Sequence, residues 1–106
     1  MGFTIADASQ SLVAAGADYV RLIEQGAVEL AVYRPLGIDP QSSHKRDELY
    51  FIAKGTGKFV CAGESKPFGP GDVLYVKAGI EHRFLNFSHD FTTWVVFFSQ
   101  DLSAPG

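Results

Sequence analysis

The sequence predicts an all-β protein of the antiparallel sandwich or jelly-roll barrel kind, with one short helical segment at its N-terminus. About eight short apolar segments follow one another at close spacing, separated by glycine and proline turn signals. Hydrophobic residues make up 46% of the chain and nine residues are Phe, so an ordered and bulky core is expected. A length of 106 residues allows one domain with a core but not two.

The N-terminal segment, residues 1–18, is rich in alanine and other small residues between positions 7 and 17. This composition predicts one short helix. Asp7 or Ser9 is the expected N-cap, because both side chains can accept a hydrogen bond from a free backbone N–H of the first turn. Gly16 is the expected stop.

The β-barrel is predicted over residues 19–98, and the polar tail at 99–106 is expected to fray. Its predicted strands are 19–24, 27–34, 48–54, 58–62, 73–76, 82–87 and 91–98. Gln25-Gly26 is a hairpin signal, and Gly69-Pro70-Gly71-Asp72 fits a type II turn.

Because side chains alternate along a strand, two sets of residues should each share one face of their strand. These sets are Val28, Leu30 and Val32 in the second strand, and Glu48, Tyr50 and Ile52 in the third.

Several of these strands are apolar on both faces, so each face needs cover. Leu49 and Phe51 point away from the face of Glu48, and residues 94–98 are apolar throughout. Together they supply more apolar surface than one small barrel buries inside. A homodimer is therefore expected.

Charge and composition argue against several classes of protein. A net charge of −3 argues against nucleic acid as the main partner, since phosphate neutralisation needs a basic face. No apolar run approaches the ~20 residues of a membrane span. The start of the chain lacks the pattern of a signal peptide, and a single cysteine cannot form an internal disulfide. A reducing cytoplasm is the expected location.

Two stretches carry the candidate chemistry. The first has His44 and Glu48 four residues apart, at the entry to an apolar strand, and the second runs from Gly79 through His82 to Asn86. Residues at even offsets share a face in extended chain, so His44 and Glu48 should point together. Two imidazoles and one carboxylate suit iron, manganese, zinc or nickel and leave coordination positions open. If the two stretches meet in space, His44, Glu48 and His82 bind one divalent metal ion.

These stretches resemble the two motifs of the cupin superfamily of small β-barrels. The residues that fill the first motif are Gly37, His44, Glu48 and Gly55, and those that fill the second are Gly71, Gly79, His82 and Asn86. There are two departures, because the first motif histidine falls on Ser42 and the motif proline falls on Lys77. The resemblance covers roughly residues 35–98 and implies a double-stranded β-helix with a small-molecule site. It does not imply one activity, since the superfamily includes dioxygenases, isomerases, decarboxylases and binding proteins.

Each candidate also has a plainer interpretation. His44 fits a solvated loop, Glu48 fits a strand edge paired with Lys45 or Arg46, and His82 fits a hydrogen-bonded barrel histidine. Ser42 and Asn86 are expected to support the site without binding metal, with Ser42 at most hydrogen-bonding a water molecule. The other polar candidates are expected to stay outside the site: His89 in a turn, Cys61 as a small buried hydrophobe and Asp47 facing outward.

Two functions from different classes remain open. The first is a metal-dependent enzyme of the dioxygenase or isomerase type that acts on a small polar or anionic molecule, with Arg46 and Tyr50 as catalytic candidates. The second is a non-catalytic module that binds or senses a small molecule, with or without metal. No pairing of a nucleophile with a base is evident, so acyl transfer has no support.

Overall fold

The computed structural model describes residues 2–40 and 43–99. In this part of the chain one helix is followed by eight strands: α1 Ile5–Ala15, β1 Tyr19–Gln25, β2 Val28–Tyr33, β3 Asp47–Lys54, β4 Gly57–Cys61, β5 Glu64–Phe68, β6 Val73–Val76, β7 His82–Leu85 and β8 Thr92–Phe98. One sheet has the order β1-β2-β8-β3-β6 and the other β5-β4-β7, and every pairing is antiparallel. The predicted all-β jelly-roll architecture is confirmed. Among the described residues, no helix is both long and apolar enough to span a membrane.

The seven predicted strands are present, and their ends match the prediction or differ from it by one or two residues. The eighth, β5, was not predicted, because Ser65, Lys66 and Pro67 give it a polar, proline-containing sequence. It lies at the edge of the smaller sheet, where a proline that cannot donate a hydrogen bond is tolerated. The predicted tail at 99–106 lies outside the described residues, apart from Ser99.

Helix α1 begins earlier than predicted. Thr4 is the N-cap: its hydroxyl accepts a hydrogen bond from the N–H of Asp7, while the Asp7 carboxylate accepts one from the N–H of Thr4. The prediction of Asp7 or Ser9 as the cap is therefore wrong, because a capping box uses Asp7 in the first turn. The predicted stop at Gly16 is confirmed by its left-handed φ of 61°. The buried face of α1 packs on Val32 of β2.

The inside of the barrel changes in character along its strands. Near one end, Glu29 of β2, Phe97 of β8 and Glu48 of β3 are direct cross-strand neighbours. Glu48, Tyr50 and Ile52 are all buried, so the face predicted for β3 is confirmed. Further inside, the two sheets meet over a cluster of aromatic rings, namely Tyr50, Phe59, Phe68, Phe84, Phe87 and Phe91. Polar residues thus collect at the mouth, and aromatic packing closes the interior behind them.

Two hydrogen bonds join the start of β3 and the segment just before it to the loop before β7. The N–H of Gly79 donates to the carbonyl of His44 at 2.7 Å, and the N–H of Ala78 donates to the Asp47 carboxylate at 2.7 Å. Asp47 is buried, so the expectation that it faces outward is wrong. Strand alternation alone predicts that the Asp47 side chain points away from the interior. The loop at 77–79 covers that side chain and so buries it. These bonds bring His44 and His82 to the same end of the barrel.

The outer sheet face, defined here as the outward side of β2, β8, β3 and β6, is apolar and only partly covered. Leu30, Val96, Leu49 and Tyr75 form one cross-strand row along it. Helix α1 contacts β1 and β2 and so covers one side of the sheet. Farther from α1, Val73 is 54% exposed and Tyr75 is 52% exposed. Exposed apolar patches of this kind mark association surfaces.

We predict that the outer sheet face pairs two copies of the chain, because that contact would bury the exposed side chains of Val73, Tyr75 and Phe51. Sedimentation equilibrium at micromolar concentration should give twice the mass of the chain. Tyr75→Lys should shift the equilibrium to the monomer, whereas Val13→Lys, at an exposed apolar residue of α1, should not. A monomer mass for the unaltered chain would contradict the prediction.

Gly55 is predicted to be far less replaceable than Gly63, although both have positive φ, of 90° and 81°. A Cβ at Gly55 would lie 2.5 Å from the Cα of Phe91, while one at Gly63 meets nothing within 4 Å. Gly63→Ala should cost about 1–2 kcal/mol through its left-handed backbone. Gly55→Ala carries that strain plus a backbone clash, so its free energy of unfolding should fall further. Urea denaturation measures both, and equal losses would refute the steric explanation.

Candidate metal centre

His44, Glu48 and His82 meet at the mouth of the barrel. His44 precedes β3, Glu48 is the second residue of β3 and His82 is the first residue of β7. One ligand atom from each side chain lies within 4.8 Å of the other two. Oε1 of Glu48 is 2.7 Å from Nε2 of His82 and 3.6 Å from Nε2 of His44. The structure therefore brings together the three residues that the sequence selected.

The Glu48 side chain is fully buried, at 0% exposure. Neither of its carboxylate oxygens has a hydrogen-bond partner among the described residues, although Nε2 of His82 lies only 2.7 Å from Oε1. A buried carboxylate without donors is costly, because it has lost its water without replacement. A divalent cation held between this carboxylate and two imidazole nitrogens would supply the missing charge. The donor set therefore fits a metal ion.

His82 is oriented by the backbone of its own loop. Its Nδ1 lies 3.0 Å from the carbonyl oxygen of Ile80, so an N–H there donates to the carbonyl and Nε2 points toward Glu48. Metal-binding histidines are commonly fixed in this way. Burial disfavours the imidazolium, but the contacts with Glu48 and the Ile80 carbonyl outweigh it and raise the pKa of His82 above 6.5.

Two aromatic neighbours complete the cluster. The hydroxyl of Tyr50 lies 3.0 Å from Nε2 of His82, so this catalytic candidate contacts a proposed ligand directly. The ring of His44, which is partly exposed, packs edge-on against Phe97 with their centroids 5.3 Å apart. His44 is thus the ligand candidate nearest to solvent, and the cluster opens on that side.

A cavity of about 420 Å³ adjoins the cluster. Its lining combines the site residues with charged groups of β1 and β2: Asp18, Tyr19, Arg21, Glu29, Tyr33, Pro40, His44, Arg46, Glu48, Tyr50, Val95 and Phe97. Arg46, the second catalytic candidate, faces this cavity, and its Cζ lies 4.6 Å from the centroid of Phe97. The cavity is large enough for a small ligand beside the metal candidates.

Sequence reasoning missed the charged network around Glu29. This buried carboxylate accepts a hydrogen bond from the hydroxyl of Tyr19 and pairs with Arg21 and Arg46. Burial by itself would raise the pKa of Glu29, but the Tyr19 hydrogen bond and the two guanidinium charges hold it below the ordinary value. Strand alternation could have indicated this network. It places the charged Glu29 on the face opposite to the apolar side chains of Val28, Leu30 and Val32.

The other predicted residues are not members of the cluster of His44, Glu48 and His82, and one of them lies outside the described residues. Asn86 is exposed, has a left-handed φ of 51° and follows β7 at the end opposite to His82. Ser42 lies outside the described residues. His89 is exposed in a turn, as expected. Cys61 is half-buried at the end of β4, so it is less buried than predicted, and it is the cross-strand neighbour of His82.

Comparisons of the sequence with known proteins identify one family. Residues 29–98 match the family described as Cupin domain. An uncharacterized protein from Streptomyces coelicolor is 37% identical over 59 residues, which are 56% of this chain and 56% of that protein. The chain therefore spans about half the length of the curated relative that it matches.

Solved structures share the architecture. The DMSP lyase DddQ from Ruegeria pomeroyi is 26% identical with a TM-score of 0.67, over 83% of this chain and 49% of that one. A Cupin 2 conserved barrel domain protein from Salinispora arenicola is 21% identical with a TM-score of 0.65, over 77% and 75% of the two chains. The plu4264 protein from Photorhabdus luminescens is 20% identical with a TM-score of 0.65, over 77% and 74%. The last two likenesses show a shared fold alone.

We predict that His82 of the metal-free protein titrates with a pKa above 6.5. Glu48→Gln removes the carboxylate charge and keeps the burial, so the pKa of His82 should then fall. The stabilisation that protonated His82 gives is present below pH 6.5 and is lost as the pH rises through the raised pKa. An NMR pH titration of the ring protons tests this, with the signals of exposed His89 as internal reference. An unchanged pKa in Glu48→Gln would contradict the role given to Glu48.

Proposed function

This chain belongs to the cupin family, and from that premise we propose that it binds one divalent metal ion through His44, Glu48 and His82. The single observation that carries the proposal is the buried Glu48 carboxylate, which has two imidazole nitrogens within 3.6 Å and no neutral hydrogen-bond partner among the described residues. Iron, manganese, zinc and nickel all suit two imidazoles and one carboxylate.

We further propose that the metal site serves an enzyme of the dioxygenase or isomerase type, acting on a small polar or anionic molecule in the adjoining cavity. A bound divalent ion would polarise an oxygen atom of such a molecule. Tyr50 would hold or move a proton beside His82, and Arg46 would hold a charged group of the substrate. The likeness to a DMSP lyase supports an enzymatic function, because that lyase is an enzyme with the same fold.

The alternative is a non-catalytic small-molecule binding or sensing module, with or without metal. The form without metal is favoured by the contact of His82 with Glu48, which raises the pKa of His82, because a protonated His82 would balance the charge of Glu48. The homodimer and the cytoplasmic location expected from the sequence stay predictions under either function.

We predict that the folded protein takes up one equivalent of divalent metal after reconstitution with iron, manganese, zinc or nickel. His82→Ala removes one of three ligands, so its metal affinity should fall by more than the ~10–100-fold typical of outer-shell partners. Ser42→Ala should keep most of the metal, because a neutral hydroxyl is a poor ligand. His89→Ala is the matched control, since it removes an exposed histidine outside the cluster.

Elemental analysis after dialysis gives the metal content, and circular dichroism confirms that each variant is folded. Metal retention by His82→Ala at the level of the unaltered protein would overturn the site. If the unaltered protein folds and takes up no metal, the metal-free binding module becomes the better explanation.

A further inference from the structure

One buried carboxylate is shared by two arginines in the cavity wall. Glu29 is 3% exposed, and its Oε2 accepts a hydrogen bond from the Tyr19 hydroxyl. Its Oε1 lies 3.2 Å from Nε of Arg21, 3.3 Å from Nη1 of Arg46 and 3.4 Å from Nη2 of Arg46. Arg21 also pairs with exposed Glu24 at 2.9 Å. Glu29 therefore balances at most one guanidinium charge, and Arg46 shares it with Arg21.

The geometry of Arg46 leaves room for a second acceptor. Both terminal nitrogens approach the same oxygen of Glu29, at the long end of the hydrogen-bond range, instead of forming two parallel bonds with its two oxygens. A guanidinium group has five N–H donors in one plane, and here that group lies over the ring of Phe97. Its side chain is 40% exposed and faces the cavity. Within residues 2–40 and 43–99, Glu29 is the acceptor that this guanidinium group contacts, so its remaining donors can reach a ligand.

The arginine and the metal candidates lie on one wall. Glu29, Phe97 and Glu48 are cross-strand neighbours on β2, β8 and β3, so Phe97 alone separates the two carboxylates in that row. Neighbouring strands are about 4.8 Å apart, which puts the backbones of Glu29 and Glu48 roughly 10 Å apart. The ring of Phe97 contacts both His44 and the guanidinium of Arg46. A molecule of a few heavy atoms can therefore reach from one group to the other.

The charges of the lining favour an anion once a metal ion is bound. Three carboxylates, those of Asp18, Glu29 and Glu48, face two guanidinium groups, those of Arg21 and Arg46, so with neutral histidines the lining has a formal charge of −1. A divalent cation changes that charge to +1. A neutral ligand would leave this charge, and the donors of Arg46, without a partner.

We propose that Arg46 forms an anion subsite opposite the metal candidates, that buried Glu29 positions its guanidinium group, and that the ligand of the cavity is a small organic carboxylate. This inference rests on the proposed function and deepens the role given there to Arg46, but its arginine end does not require the metal ion. Glu29 acts through Arg46 and does not touch the ligand.

The test is isothermal titration calorimetry with malonate and with malonamide, a neutral probe of matched size, on zinc-loaded and metal-free protein. Malonate should bind more tightly than malonamide. Arg46→Met should weaken the affinity for malonate about tenfold or more, as expected for a lost charge-assisted hydrogen bond. The same change should leave the zinc content unchanged. Arg83→Met, at an exposed arginine of β7 outside the cavity lining, is the matched control and should bind malonate like the unaltered protein.

Glu29→Gln separates positioning from simple charge balance. If Glu29 only offset the arginine charge, its neutral replacement would make the wall more positive and tighten malonate binding. If Glu29 positions Arg46, the same change frees the guanidinium group and weakens malonate binding, which is the result expected here. Circular dichroism checks that the variant is folded, and if it is not, Arg46→Met and Arg46→Lys carry the test.

Equal affinity of the unaltered protein for malonate and malonamide would overturn the proposal. So would undiminished malonate binding by folded Arg46→Met. The zinc content is measured separately, so failure of the metal site is distinguishable. Protein that takes up no zinc but still loses malonate binding on Arg46→Met would refute the metal proposal and support the anion subsite.

Discussion

The buried carboxylate of Glu48 is the group on which the mouth of the barrel depends. It lies inside the barrel without a hydrogen-bond donor among the described residues, an arrangement that destabilises the fold unless a cation or a proton compensates it. The neighbouring groups are two imidazoles, and the one on His82 is held in place by the carbonyl of Ile80. Such a residue is better explained by binding than by stability, because an apolar side chain in its place would pack without that cost.

The packing of the aromatic interior offsets the cost of the buried Glu48 carboxylate in this small domain. Phe59, Phe84 and Phe91 fill the space between the sheets, and ring pairs such as Phe84 and Phe91, with centroids 4.7 Å apart, stabilise that end of the barrel. The same strands then carry charged groups to the mouth, where Phe97 separates Glu48 from Glu29. The aromatic packing and the proposed binding groups thus lie toward opposite ends of one set of strands.

Much of the fold could be predicted because its signals are local. Alternation along β3 placed Glu48, Tyr50 and Ile52 inside, and turn residues marked most strand ends. The errors arose where the surroundings of a residue decided its place. Asp47 is buried under a loop that is distant in sequence, and β5 forms as an edge strand in spite of Pro67.

The sequence by itself determined the type of fold, the inward face of β3 and the three metal-ligand candidates, because alternation and motif spacing are properties of short segments. Only the tertiary structure decided that Glu29 stands beside Phe97 and Glu48 and that Arg46 turns toward Glu29. Those neighbours come from β2, β3 and β8, whose pairing joins residues far apart in the chain. The physical reason is that cross-strand register is set by packing of the whole barrel, which no short segment encodes.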